Sequence, residues 1–231
     1  RAQLPRRQAL RKAYARLDRF FIREHEDEIL AALHADLGKP RLEAFAAELA
    51  TTKHEAEFLL KNVAEWMKPE RVPTPMTIQP GRSEIRRDPL GVVLVIAPWN
   101  YPFQLAVVPM LGALAAGNAV VLKPSEVAPA TSSLLARMLP RYLDPSAVKV
   151  VEGGVQETTA VLDQCFDHIF YTGNGVVGSI VMAAAAKNLT PVTLELGGKS
   201  PTYVDASADL DVVAKRIASG KPGNSGQKCR A

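Results

Sequence analysis

From residue 91 onward, short runs of uninterrupted apolar residues alternate with longer amphipathic ones. The short runs are GVVLVIAP (91–98), AVVLKP (119–124), VKVVEG (148–153), HIFYTG (168–173) and TLELGG (193–198). They are rich in Val, Ile and Leu and lack the in–out alternation of a half-solvated strand. That pattern predicts strands covered on both faces, as in a parallel sheet between layers of helices. Helical patterns fall between them at about 103–117, 129–140, 156–164 and 176–188. Strand–helix alternation at this spacing specifies an α/β fold with a doubly wound, Rossmann-like parallel sheet. Ligands of such sheets gather at the carboxyl ends of the strands, so function is sought in the residues just after each one.

Ahead of the sheet, Leu10, Tyr14, Leu17 and Phe21, continued by Ile29, Leu33 and Leu37, repeat at helical spacing until Gly38 and Pro40 stop them. Leu42, Phe45, Leu49, Thr52, Ala56, Leu59 and Val63 form a second stripe. Heptad spacing also fits a coiled coil, but two segments joined by a Gly-Lys-Pro turn favour a helical pair packed on a domain. Prolines at 69, 73, 75, 80 and 89 mark an extended connector or edge strands over 69–90. The expected organisation is a helical pair over 1–68, the connector, a sheet domain over 91–205, and a further segment over 206–231.

Composition changes this picture little. Apolar residues make up 47% and charged residues 23%, as in ordinary globular proteins. A net charge of +4 and a pI near 9.1 would suit nucleic acid, but acidic residues are interleaved with basic ones and no basic stripe forms, so no nucleic-acid partner is expected. Two cysteines, Cys165 and Cys229, exclude a disulfide scaffold, and four scattered histidines lack metal-ligand spacing, so no metal is expected. No apolar run approaches the roughly 20 residues of a membrane helix, and no signal-type core follows the basic N-terminus. A reducing, cytoplasmic setting is the expectation. Residue 1 is Arg rather than Met, which suggests a piece of a longer gene product.

The strand ends carry the candidate chemistry. Ala97-Pro98-Trp99-Asn100 follows the first strand; a side-chain amide there either stabilises an oxyanion or simply makes a turn between prolines. Lys123-Pro124-Ser125-Glu126 follows the second, as contacts for a ribose and phosphate or as a Ser-led helix start. Gly153-Gly154 follows the third, for close backbone approach or a turn. Thr172-Gly173-Asn174-Gly175-Val176-Val177-Gly178 follows the fourth and fits G-x-G-x-x-G between strand and helix, although the dinucleotide fingerprint usually follows the first strand. Glu195-Leu196-Gly197 ends the fifth. A carboxylate inside an apolar run is expected to be desolvated and suited to act as a base, or paired with a lysine. Last, Cys229 follows Lys228 in a polar, Gly-bearing loop, a setting that favours thiolate, whereas Cys165 at a helix end reads as structural.

PWNYP, LKPSE, the glycine-rich turn, LELGGKSP and GQ-x-C occur in this order. Together they resemble the aldehyde dehydrogenase superfamily, specifically its class 3-like branch acting on fatty, benzylic or coniferyl-type aldehydes. The resemblance runs from about residue 10 to the last residue and covers the N-terminal half of the family's length. It implies a helical pair packed on an NAD(P)-binding Rossmann-like domain, with residues 206–231 opening the catalytic domain. It implies Cys229 as nucleophile, Asn100 as oxyanion donor and Glu195 as the base that activates water. Lys123 and Glu126 would hold the ribose, with Ser125 between them also in the cofactor site. Ala97, Pro98, Trp99, Gly154, the stretch Thr172 to Gly178, Leu196 and Gly197 would line the rest of the NAD or NADP site. An aldehyde substrate and a homodimeric full-length protein are implied too. Pro222 and Gly223 depart from the family's pattern before the nucleophile. Two other readings are weighed: an inactive dinucleotide- or partner-binding remnant, and a CoA-dependent relative, against which Glu195 speaks.

Overall fold

A computed structural model describes residues 24–228 of the chain; Leu10, Tyr14, Leu17 and Phe21 lie outside them. Five parallel strands, β3 (Val92–Ile96), β4 (Ala119–Lys123), β5 (Val148–Val150), β6 (His168–Gly173) and β7 (Val192–Leu196), stand in the order β5-β4-β3-β6-β7. Side chains of a strand point alternately to its two faces. Accordingly Val93, Val95 and Ala97 enter one core, and Leu94 and Ile96 the other. The first core takes Phe103 and the helices α4 (Gln104–Ala115) and α5 (Pro129–Tyr142). The second takes α6 (Val155–Leu162) and α7 (Gly175–Ala186), through Leu162, Val181 and Ala185. Burial on both sides is why β3 reads as one apolar run.

The N-terminal helices pack on the sheet domain and do not form a free coiled coil. α1 (Glu26–Leu37) lies along α5 and buries Ile29, Leu30 and Leu33. Gly38, at φ 64°, ends it by donating its N–H to the His34 carbonyl, a left-handed cap that suits glycine. The Asp36 carboxylate accepts from the Ala130 and Thr131 N–H groups at 2.9 and 2.8 Å, so α1 caps α5 from outside.

The second helical stretch runs as α2 (Arg41–Ala44), a π-helical turn (Phe45–Ala50) and α3 (Thr51–Trp66), which lies along α4. Here the predicted stripe needs correction. Leu42 and Phe45 are exposed, and the buried side is Ala44, Glu48, Leu49, Thr52, Ala56 and Val63. A π-helical turn bonds i to i+5 and so rotates the buried face relative to a strict 3.6-residue repeat. The proline-rich connector carries a separate antiparallel pair, β1 (Glu70–Val72) and β2 (Ser83–Ile85). Cys165 is exposed. Beyond β7 the chain forms α8 (Leu210–Gly220) and a short 3₁₀ turn (Gly223–Gly226). No helix among the described residues is long and apolar enough to cross a membrane.

Candidate active site

Strand register alone collects the candidate residues at one end of the sheet. Ile96 pairs with Lys123 and with Tyr171, Thr172 with Glu195, and Gly173 with Leu196. The Ala97 N–H donates to the Lys123 carbonyl at 3.0 Å, which draws the Pro98–Asn100 turn toward the end of β4.

Asn100 is bonded on both sides. Its side-chain Nδ2 donates to the Gln227 carbonyl at 2.8 Å. Its own carbonyl accepts from Lys39 Nζ at 2.9 Å and from Asn224 Nδ2 at 2.8 Å. Lys39 also pairs with Glu48, and both side chains are buried. Burial pushes the Lys39 ammonium below and the Glu48 carboxyl above its ordinary range, each opposed by the charge of the other. The Lys39 ammonium stands 4.2 Å from the centre of the Tyr101 ring. The second Glu48 oxygen accepts from the N–H groups of Phe103 and Gln104 at 2.9 and 3.2 Å. That carboxylate therefore caps the start of α4, where negative charge is favoured.

Lys123 is buried at the end of β4. Its ammonium donates to the Pro124 carbonyl at 2.7 Å and stands 3.6 Å from the half-exposed Glu126 carboxylate. Burial pushes it below the usual lysine range, partly offset by Glu126. Ser125 Oγ accepts from the Val127 N–H at 3.2 Å. Ser125 does not start the following helix, which begins at Pro129 and takes its cap from Asp36.

The glycine-rich turn mixes packing with access. Asn174 caps α7 by accepting from the Val177 N–H at 2.9 Å. A Cβ at Gly173 would collide with the Tyr171 hydroxyl, and one at Gly178 would stand 3.0 Å from Leu196 Cδ2. Gly178 thus serves close helix–strand packing and Gly173 makes room for the Tyr171 side chain of its own strand, whereas Gly175 faces open space. Trp99 and Val176 are exposed. Gly154 donates its N–H to the Glu157 carboxylate at 2.7 Å, at the start of α6.

Glu195, expected to be desolvated, is exposed among the described residues, at the end of β7, the outer strand of their sheet. Lys228 folds back over Gly223 and donates to the Gly220 carbonyl at 3.1 Å. Cys229 lies outside the described residues. The turn leading toward it is well placed to be held: Asn224 and Ser225 adopt left-handed backbone at φ 54° and 52°. The Asn224 N–H donates to the Glu43 carboxylate at 2.5 Å, and its Nδ2 donates to the Gln227 carbonyl at 3.1 Å. Pro222 precedes this turn and leaves α8 to stop at Gly220.

Residues 3–231 match the aldehyde dehydrogenase family. The chain belongs to this family. It is 57% identical over 206 residues to aldehyde dehydrogenase family 3 member H1 of Arabidopsis thaliana, covering 89% of this chain and 43% of the relative. The substrate-bound AldH of Staphylococcus aureus superposes with a TM-score of 0.90 at 42% identity, over 97% of this chain and 48% of that one. An aldehyde dehydrogenase of Mycobacterium tuberculosis complexed with NAD+ superposes with a TM-score of 0.83 at 29% identity, over 97% and 45%. The chain thus spans somewhat less than half the length of these aldehyde dehydrogenases. Lys39, Glu43, Glu48 and Asn224, which bond the Asn100 turn and the turn at 223–226, were not singled out in the sequence, because the π-helical turn that moves Glu48 inward is not visible in a 3.6-residue repeat.

Proposed function

We propose that the full-length protein carrying this sequence oxidises an aldehyde to a carboxylic acid with NAD or NADP, with Cys229 as the nucleophile. The observation that carries the reading is the bond from Asn100 Nδ2 to the Gln227 carbonyl, which sets a strand-end amide two residues before Cys229. The residues at the sheet end suit a dinucleotide. Lys123 offers a buried cation beside the half-exposed Glu126 carboxylate, a donor and an acceptor for ribose hydroxyls and phosphate. Glu126 would also disfavour a 2′-phosphate through charge repulsion.

In this reading the Cys229 thiolate attacks the aldehyde carbon, and the C=O π pair moves to oxygen. Asn100 and the Cys229 N–H donate to that oxyanion. A nicotinamide held at the sheet end would supply the acceptor for the hydride that leaves the same carbon as the C=O re-forms to give a thioester on Cys229. Glu195 then takes a proton from water. The hydroxide adds to the thioester, the C–S bond breaks, and the thiolate is restored as the acid departs. The substrate class, fatty, benzylic or coniferyl-type, together with a homodimeric state and a cytoplasmic setting, follows the class 3 resemblance and the two-cysteine composition. The test is NAD(P)H formation by the full-length protein with a panel of such aldehydes. Turnover abolished by Cys229→Ala supports the reading; no NAD(P)H from any of them sinks it.

A further inference from the structure

We propose that Lys39, Glu48 and Asn224 form a clamp that positions Asn100 for catalysis. Two of the three lie in the N-terminal helical segment, away from the sheet end that they serve. The inference rests on the reading of Asn100 as an oxyanion donor.

The clamp grips the turn on both sides of Asn100. Lys39 Nζ and Asn224 Nδ2 converge on the Asn100 carbonyl at 2.9 and 2.8 Å. Glu48, paired with Lys39, takes the N–H groups of Phe103 and Gln104 three and four residues further on. The peptide that carries the amide is therefore fixed from one side by donors and from the other by an acceptor. Asn224 extends the hold to the nucleophile's own turn, because it also donates to the Gln227 carbonyl that receives the Asn100 side chain. Oxyanion donor and turn are thus referenced to each other through shared carbonyls.

A stability role alone does not account for this arrangement. Burying a lysine and a glutamate together costs desolvation that well-packed apolar residues would avoid. Apolar residues, however, cannot donate to a backbone carbonyl while capping the next helix. Asn224 stands in the left-handed region at φ 54°, where asparagine is tolerated better than most residues. Displacements of about 1 Å at a catalytic donor can cost on the order of 100-fold in rate, so the clamp acts where small errors matter.

The decisive experiment is a double-mutant cycle in the full-length protein, with Lys39→Met, Asn100→Ala and the pair together. Each is assayed for kcat, aldehyde KM and NAD(P) Kd. Lys39→Met alone is expected to lower kcat by about 10- to 100-fold while leaving the cofactor Kd within roughly twofold. In the Asn100→Ala background the same substitution should cost less than about threefold, because the side-chain amide that the clamp positions is gone. Equal losses in both backgrounds would overturn the positioning role and leave the dehydrogenase reading standing. An Asn100→Ala protein with undiminished kcat would overturn the oxyanion reading, and this inference with it. Should Lys39→Met abolish the cooperative melt, Asn224→Gly enters the same cycle. Glycine accepts the left-handed backbone and removes the donor while the buried pair stays intact, and the same two outcomes decide.

Discussion

Asn100 and Gln227 are hydrogen-bonded at 2.8 Å although 127 positions separate them. A turn after the first strand of the sheet thereby meets the segment that leads to Cys229. If the amide stabilises the oxyanion, Asn100→Ala lowers kcat of the full-length enzyme by about 10²- to 10³-fold. The NAD(P) Kd, measured by fluorescence titration, should stay unchanged. A loss confined to KM would argue against the role.

Glu195→Gln removes the proposed base after the hydride has already left. Rapid-mixing traces should retain a burst of NAD(P)H while the steady-state rate falls by about 10²-fold or more. Disappearance of the burst would assign Glu195 to an earlier step.

Lys123 is a buried cation at the carboxyl end of β4, the end of a parallel sheet where ligands gather. Lys123→Met should weaken NAD or NADP binding by about tenfold, the scale of one hydrogen bond to a charged group. Without cofactor, the melting temperature should not fall, because a desolvated charge has been removed. Unaltered affinity would take Lys123 out of the cofactor site.

His168 sets a pH dependence. Nε2 bonds Thr193 Oγ1 at 3.0 Å, and buried Nδ1 has no hydrogen-bond partner among the described residues. Burial pushes its pKa below the ordinary 6.5. The unfolded chain therefore takes up the proton first, and stability present above pH 6.5 is lost as the pH falls below it. His168→Gln should flatten that part of the curve in urea titrations between about pH 7 and 5. Parallel curves for the two proteins would contradict it.

Asp36 reaches from α1 to the first turn of α5. Asp36→Ala leaves those N–H groups without their acceptor and should cost about 1–2 kcal/mol by chemical denaturation. A change below the error of the method would mean that water replaces the carboxylate.

Hydropathy in the sequence identifies the parallel sheet because β3 and β4 are covered on both faces and leave no polar alternation. The motifs after the strands were equally legible, since a parallel sheet puts every strand's carboxyl end on the same side. Strand order was less legible: β7 lies at the edge of the sheet although its apolar run suggests an interior strand, and order is not written in local pattern. The π-helical turn at Phe45–Ala50 misled the stripe in the same way. It moves Glu48 inward and leaves Leu42 and Phe45 outside.

Periodicity and turn residues report on interactions within a few positions of the chain, and these sufficed for the fold class and the strand ends, while the family rested on the resemblance of the ordered motifs. Long-range partners do not act within such a window. The Lys39–Glu48 pair under the Asn100 turn, the Asn224 bridge and the Asp36 cap each join residues from separate layers. They form when packing brings the helical segment against the sheet, because a buried charge or amide must find its partner wherever the fold supplies one.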